Sequence, residues 1–245
     1  MAKAAPSEQM RLLDLQILDS KLRALDVQAK GLKEDPRLPD LHSGVTVAKS
    51  DLVVLDTEVG DAARKLTKAE DDVAQVATRI AKDEAKLNSG TGLSKDLMAL
   101  QSDIESLTKR RGELEDVELE LMESSEAATS RQEAQQALVG QMQSVLDEVV
   151  AEIRGQLGAL RMERDATAAE RAELAATFDP ALLGSYDRAL TKYGVGAARL
   201  FHGTSEGSGM QLSPGDLAVL LKAAEDDVVF CPDSGAILVR SPEWS

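Results

Sequence analysis

Two short turns near the C-terminus carry side chains at the spacing of a metal site. Ser205 and Ser208 are separated by two residues, as are Cys231 and Ser234, and each pair follows an extended segment. With cysteine at all four positions, this would be the C-x-x-C…C-x-x-C frame of a four-thiolate zinc site. Serine hydroxyls stay protonated and are poor zinc ligands. The sequence therefore predicts that no metal and no other cofactor is bound, and that the serines form turns instead.

An unconventional metal site is the alternative. His202 and Asp233 lie near the two turns, although neither stands at a position of the four-ligand frame. Closed structural zinc sites need a complete ligand set, which favours the metal-free interpretation. Cys231 could also be a reactive thiol, but the pattern favours a small buried hydrophobic residue.

No set of catalytic residues accompanies these turns in the sequence. The two histidines, His42 and His202, are far apart, and no serine or cysteine stands in a nucleophile motif. The many carboxylates fall at exposed heptad positions, where a solvated helix face explains them. The sequence therefore predicts a protein that is not an enzyme.

Charge and composition narrow the class of partner. A formal net charge of −15 disfavours binding to phosphate backbones, which needs clustered lysine and arginine. No apolar run approaches the ~18 residues of a membrane span. The single cysteine is consistent with a reducing compartment. We expect a cytoplasmic protein with no membrane association, either a monomer or a weak dimer.

N-terminal to the two turns, the chain contains a long heptad seam. From Val45 to Leu87, residues at alternating steps of three and four are apolar, with Asp83 as the exception. This pattern is typical of a coiled-coil helix of about six heptads, which needs a partner helix to bury its stripe. Turn-forming residues at 88–94 end the helix, and the seam restarts at Leu97 with Ser94 as the expected N-cap. The sequence predicts an antiparallel helical hairpin with its tip at residues 88–94.

The three helices of this hairpin are predicted at about 7–34, 41–87 and 95–176, with Pro36 and Pro39 between the first two. The third helix is less regular than the second. Arg111 occupies a seam position where an apolar residue is expected. Val117 is apolar but lies outside the heptad register, which predicts a shift of the heptad phase. The seam is then expected to resume through Leu138 and Val145.

The aromatic residues predict a second domain, because all six lie after residue 177. A globular core recruits aromatic side chains for their large buried area, whereas a two-helix rod has only a thin seam. We therefore expect a mainly α protein: a long antiparallel coiled-coil hairpin over 1–177, then a small α+β, zinc-ribbon-like domain over 178–245. Tyr193, Phe201, Phe230 and Trp244 are expected to supply its core in place of the metal.

These features together resemble the bacterial coiled-coil proteins with a C-terminal C4-type zinc ribbon. The segment 94–107 is similar to that family's K-E-x-x-x-L-x-x-E-I run, and Tyr186 with residues 194–197 matches its lead-in, a tyrosine followed by G-V-x-A. The resemblance implies a cytoplasmic adaptor that binds proteins of the transcription machinery, such as an alternative sigma factor, or of the flagellar and type III secretion machinery. In some relatives it also implies RNA contact.

The function expected from these observations is that of a non-enzymatic adaptor with a degenerate ribbon. Its candidate protein-interaction residues are at the hairpin tip, where the side chains project from the end of the rod: Asn88, Lys95, Asp96 and Gln101. The alternative is a regulator that binds RNA or DNA, for which the short basic cluster Lys109–Arg111 is the supporting feature.

Overall fold

The computed structural model describes residues 3–241, and within this range the chain forms five α-helices and five short β-strands. This confirms a mainly α fold in which long helices form a hairpin and a small sheet follows. The elements, in chain order, are α1 (Pro6–Lys33), α2 (Arg37–Asn88), α3 (Ser94–Ala175), α4 (Pro180–Tyr193), β1 (Ala197–Phe201), β2 (Thr204–Ser205), β3 (Met210–Gln211), α5 (Pro214–Lys222), β4 (Val229–Phe230) and β5 (Ile237–Val239).

Contacts divide the chain into two units. The hairpin unit contains Pro36–Ala151, and the terminal unit joins the segment up to Asp35 to the segment from Glu152 onwards. The helix α1 thus shares a unit with the last turns of α3, with α4 and with the sheet. The predicted boundary between residues 177 and 178 stays a prediction.

In the hairpin unit, α2 and the first part of α3 run antiparallel and are joined by polar side chains along their flanks. The amide of Gln132 donates to Asp56 at 2.9 Å, Gln135 donates to the carbonyl of Ala48 at 2.9 Å, and Arg131 lies 3.2 Å from Glu58. All predicted seam residues of α2 are buried or half-buried. The seam thus packs within one chain.

The helix α2 begins at Arg37, earlier than residue 41. Pro36 takes the N-cap position and Pro39 falls in the first turn. Amide groups in a first turn have no intrahelical acceptor, so a proline there removes no hydrogen bond. Both prolines are therefore compatible with a helix that starts between them.

The predicted shift of phase in α3 is wrong. Its buried and half-buried positions continue in steps of three and four from Leu97 to Ile153 without interruption, through 111, 114, 118, 121, 125, 128, 132, 135, 139, 142, 146 and 149. Val117 is 46% exposed, Leu138 44% and Val145 47%, whereas Leu146 is 5% exposed. The partner helix fixes the register, and long polar side chains at seam positions are accepted because their heads reach water or α2.

Asp83 is the one charged residue of the α2 seam, and it is 8% exposed. Its carboxylate lies 3.1 Å from Lys86 Nζ and 3.8 Å from Arg79 Nε, and both cations are themselves well exposed. The desolvation of a buried carboxylate is only partly offset by such flexible partners. Asp83 therefore costs stability at a position where a seam normally holds leucine.

We expect Asp83→Leu to raise the free energy of unfolding by about 1–2 kcal/mol, since the substitution removes the desolvation cost and extends the apolar seam. Urea denaturation followed by circular dichroism measures this change. Asp71→Leu, at an exposed position of the same helix, is the matched control and should have little effect. A lower stability of Asp83→Leu would show that the ion pairs outweigh the desolvation.

The terminal unit contains a five-stranded sheet in the order β3-β2-β1-β5-β4. The predicted hairpin of β4 and β5 is present, with Val229 opposite Leu238, but β5 also pairs in parallel with β1, Ala197 lying opposite Ile237. One face of the central strands packs against α1 and α4. The larger core cluster lies there: Ala4, Leu12, Leu15, Ala175, Phe178, Leu182, Tyr186, Ala197, Val228, Ile237 and Val239.

The aromatic residues expected in this core are mostly on its surface. Tyr193 is 49% exposed, Phe201 41% and Phe230 44%, and Trp244 lies outside the described residues. Tyr186 and leucines of α1 fill the core instead, although the sequence predicts α1 as part of the hairpin. A helix that packs on the sheet buries more area than side chains on short edge strands can.

Among the described residues, no helix is long and apolar enough to span a bilayer.

Candidate functional site

The two predicted turns have the same backbone structure. In the first knuckle (residues 205–209) the amide of Gly209 donates to the carbonyl of Ser205 at 2.8 Å. In the second knuckle (residues 231–235) Gly235 donates to Cys231 at 2.9 Å. Each glycine has a positive φ, +67° and +64°, which costs glycine little and other residues more. The chain thus forms two equivalent knuckles of the kind that positions metal ligands.

Three of the four side chains at the ligand positions come together. Ser205 is completely buried and Cys231 is 2% exposed. The amide of Ser234 donates to Cys231 Sγ at 3.4 Å. The hydroxyls of Ser205 and Ser234 are buried and have no aligned hydrogen-bond partner among the described residues. Ser208 differs, because its hydroxyl accepts from the amide of Met210 at 3.3 Å and thus serves the turn.

The environment of Cys231 favours a charged sulfur. Burial alone would raise the pKa of this thiol, but the neighbouring hydroxyls of Ser205 and Ser234 and the amides of Ser234 and Asp233 lower the pKa below its ordinary value. The aligned hydrogen bond to the sulfur is the one from the Ser234 amide. Sequence reasoning, which favoured an inert buried cysteine, did not find this feature.

The side chains present do not fit a zinc ion of the four-thiolate type. One thiol and neutral hydroxyls are not a zinc ligand set. The described part of the chain contains no group of three or more histidine, cysteine, aspartate or glutamate side chains that could hold a metal. His202 instead lies edge-on to Phe201, with ring centroids 4.3 Å apart, and Asp233 is exposed. The absence of bound zinc in solution stays a prediction.

A surface cavity of about 390 Å³ adjoins the second knuckle, between it and α4. Cys231 and Pro232 form one wall, and Lys192, Tyr193 and Phe230 contribute to its rim. Tyr193 packs so closely on Gly235 that a Cβ at this glycine would lie 2.2 Å from the ring. Both the backbone conformation and this contact therefore require glycine at the end of the knuckle.

A polar network joins α1, α3 and α4 to the segment that leads into β1. The hydroxyl of the fully buried Tyr186 donates to Asp19 at 2.8 Å, and Asp19 pairs with Arg171 at 3.1 Å. Gln16 accepts from the amide of Gly196 at 2.7 Å. A Cβ at Gly196 would lie 2.4 Å from the Tyr186 ring. Gly196, which stands at the unspecified position of the G-V-x-A lead-in, thus makes a close packing contact between α4 and the entry to β1 in this chain.

At the hairpin tip the four candidate residues are exposed: Asn88, Lys95, Asp96 and Gln101. Ser94 is the first residue of α3 and not its N-cap, because the carbonyl of Leu93 accepts from Leu97 at 3.2 Å. Sequence reasoning missed Leu93 and Met98, each 74% exposed. The available signal was their position outside the seam, next to a glycine-rich turn.

Comparison with known proteins identifies both parts of the chain. Residues 15–194 match the CT398-like coiled coil hairpin domain, and residues 204–238 match the C4-type zinc ribbon domain. An uncharacterized protein of Mycobacterium tuberculosis (strain H37Rv) is 32% identical, and the match covers 97% of each chain. An uncharacterized protein of Mycobacterium leprae is 26% identical over 90% of this chain and 95% of its own.

Two solved structures have a similar fold. A Mycobacterium smegmatis protein is 28% identical with a TM-score of 0.81, and the match covers 97% of this chain and all of the other. CT398 from Chlamydia trachomatis is 19% identical with a TM-score of 0.61, over 96% and 98% of the two chains, which shows a common fold. The two knuckles with their single cysteine agree with these matches. The chain belongs to the family of CT398-like coiled-coil hairpin proteins with a C4-type zinc ribbon, as a member whose ribbon is degenerate.

Proposed function

We propose that the protein is a non-enzymatic adaptor that binds a partner protein through its hairpin tip. The observation that supports this most directly is the exposure of Leu93 and Met98, 74% each, at the tip of the helical hairpin. Large apolar side chains left exposed at one end of a hairpin are available for contact with a partner protein. The exposed charges of Lys95 and Asp96 beside them supply the polar rim that such sites have.

The degenerate ribbon is the second surface in this proposal. It presents Tyr193 and Phe230, both roughly half-exposed, beside the cation of Lys192. Exposed aromatic side chains are enriched at protein interfaces. Partners in the transcription or secretion machinery, and a cytoplasmic location, are part of the proposal through the family resemblance alone.

Nucleic-acid binding is the alternative, and the basic cluster on α3 supports it weakly. Arg110 lies 3.2 Å from Glu113, and Arg111 lies 3.1 Å from Glu115 while half-buried in the seam. Two of its three cations are thus neutralised within the same helix. Phosphate binding would need cations that are free to release counterions.

Replacement of the two apolar tip residues tests the proposal. We expect Leu93→Ser/Met98→Ser to reduce recovery of partner proteins from a cytoplasmic extract by about tenfold, since a few anchor residues carry most of an interface's binding energy. Leu119→Ser/Met162→Ser, at exposed positions of α3, is the matched control and should retain the partners.

A salt series with generic RNA and DNA separates the two functions. An adaptor should bind nucleic acid weakly at every salt concentration. Tight nucleic-acid binding whose affinity falls steeply with salt concentration, together with the absence of a protein partner that depends on the tip, would favour the nucleic-acid-binding regulator over the adaptor.

A further inference from the structure

The cavity of about 390 Å³ beside the second knuckle is lined by cations and aromatic rings but by no carboxylate. Arg188 and Lys192, one helical turn apart on α4, contribute the two cations, and both side chains are exposed. Tyr193 and Phe230, 49% and 44% exposed, contribute the rings. The whole chain has 43 acidic and 28 basic residues. A cavity whose charged lining is entirely basic therefore differs from the composition of the chain around it.

The two cations are not neutralised within the described part of the chain. Arg188 donates to the hydroxyl of Ser185 at 3.0 Å, and Lys192 Nζ lies 4.8 Å from the centre of an aromatic ring, that of Tyr193. Neither forms an ion pair with a described carboxylate, and Asp233 of the second knuckle does not line the cavity. Other cations of the terminal unit do form ion pairs: Lys3, Lys21, Arg164, Arg171 and Arg199. Arg188 and Lys192 thus remain available to an anion from outside.

We propose that this cavity binds an acidic segment of a partner protein, one in which an aspartate or glutamate stands next to an aromatic or large apolar side chain. The proposal rests on the adaptor function above and defines the chemistry that its second surface recognises. Arg188 and Lys192 donate charge-assisted hydrogen bonds to the carboxylate of the segment. The neighbouring apolar side chain packs on the rings of Tyr193 and Phe230, which bury a large area when covered.

The number of cations favours a peptide over a nucleic acid as the occupant. Two cations at one cavity match a single anionic group, whereas a nucleic-acid strand needs several cations along a groove that follows its backbone. The helix α4 contains no lysine or arginine besides Arg188 and Lys192. The net charge of −15 also repels a polyanion more strongly than a peptide with one or two carboxylates.

A pair of short peptides tests the proposal on the intact chain. The acidic peptide is acetyl-Gly-Asp-Phe-Asp-Gly-amide, and its neutral counterpart has asparagine in place of both aspartates. Binding is measured by nuclear magnetic resonance, through the backbone amide shifts of the protein. We expect the acidic peptide to bind about tenfold more tightly than the neutral one, because charge-assisted hydrogen bonds are the stronger kind. The largest shifts should occur at Lys192, Phe230 and Gly235, which line the cavity.

Removal of the two charges assigns the preference to the cavity. Arg188→Gln/Lys192→Gln should bind the acidic and the neutral peptide equally well. The matched control is Arg154→Gln/Lys222→Gln, which also removes one arginine and one lysine, at exposed positions that do not line the cavity. The control has the same net charge as the test variant and should keep the preference of the wild type.

Equal affinity of the wild type for the two peptides, or shifts confined to residues away from the cavity, would overturn the proposal. A short oligothymidylate that shifts the same residues and binds more tightly than the acidic peptide would assign the cavity to nucleic acid instead. The tip variant Leu93→Ser/Met98→Ser should bind the acidic peptide as the wild type does. The peptide titration and the recovery of partner proteins thus report on the two surfaces separately.

Discussion

Ser205→Cys/Ser208→Cys/Ser234→Cys is expected to convert a chain with far less than one equivalent of zinc into one that binds a full equivalent. The two knuckles already have matching turns, each closed by an amide-to-carbonyl hydrogen bond to a glycine of positive φ. Ser205 and Cys231 are already buried, and the amide of Ser234 already lies 3.4 Å from Cys231 Sγ. A complete four-thiolate set contributes on the order of 10 kcal/mol of apparent binding free energy at neutral pH.

Elemental analysis of protein purified without chelator measures the metal content, and thermal unfolding with and without chelator measures its effect on stability. The control is Ser50→Cys/Ser102→Cys/Ser144→Cys, which adds the same number of thiols at exposed helical positions. Equal zinc content in both variants would mean that the knuckles do not organise the site. Stoichiometric zinc in the wild type would show that residues outside the four-position frame bind it.

Removal of the Tyr186 side chain should be the most destabilising change in the terminal unit. Tyr186 is completely buried among α1, α4 and the sheet, and its hydroxyl donates to Asp19 at 2.8 Å. Deleting a buried aromatic ring costs about 3–5 kcal/mol, a large fraction of the roughly 5–15 kcal/mol that stabilises a typical domain. Tyr193→Ala, at a 49% exposed tyrosine, is the matched control and should cost about 1 kcal/mol or less.

Alkaline titration gives a second measurement on the same residue. Burial, and next the carboxylate of Asp19, raise the pKa of Tyr186 above its ordinary value. Folding therefore favours the protonated form, and this contribution is complete below about pH 10, the pKa in the unfolded chain. It is lost as the pH rises from there towards the folded pKa. The wild type should lose stability above pH 10 more steeply than Tyr186→Phe, and parallel curves would contradict this.

The features that the sequence predicted well are those set by local patterns. The α2 seam, the tip at 88–94 and the turns at 205 and 231 each depend on residues close together in the chain. Local hydrogen bonds and periodicity determine such features without reference to the rest of the fold.

The features that were missed or wrong depend on distant partners. Val117 was chosen for the α3 seam by residue type, although the register imposed by α2 places Glu118 there. The aromatic core was assigned without α1, because nothing in the sequence shows that Leu12 and Leu15 face the sheet. The donors around Cys231 were missed for the same reason, since Ser205 and Cys231 belong to separate strands and turns.

The partnership between α1 and the end of the chain has a consequence for biosynthesis. Gln9 donates to the carbonyl of Glu225 across 216 residues of sequence. Leu12 and Leu15 are buried by residues as distant as Val239. At about 5–20 residues per second, a ribosome needs roughly 10–40 s to supply such partners. During that time the hairpin unit can fold as it emerges, whereas the apolar face of α1 stays exposed on the nascent chain, where transiently exposed apolar surface favours aggregation.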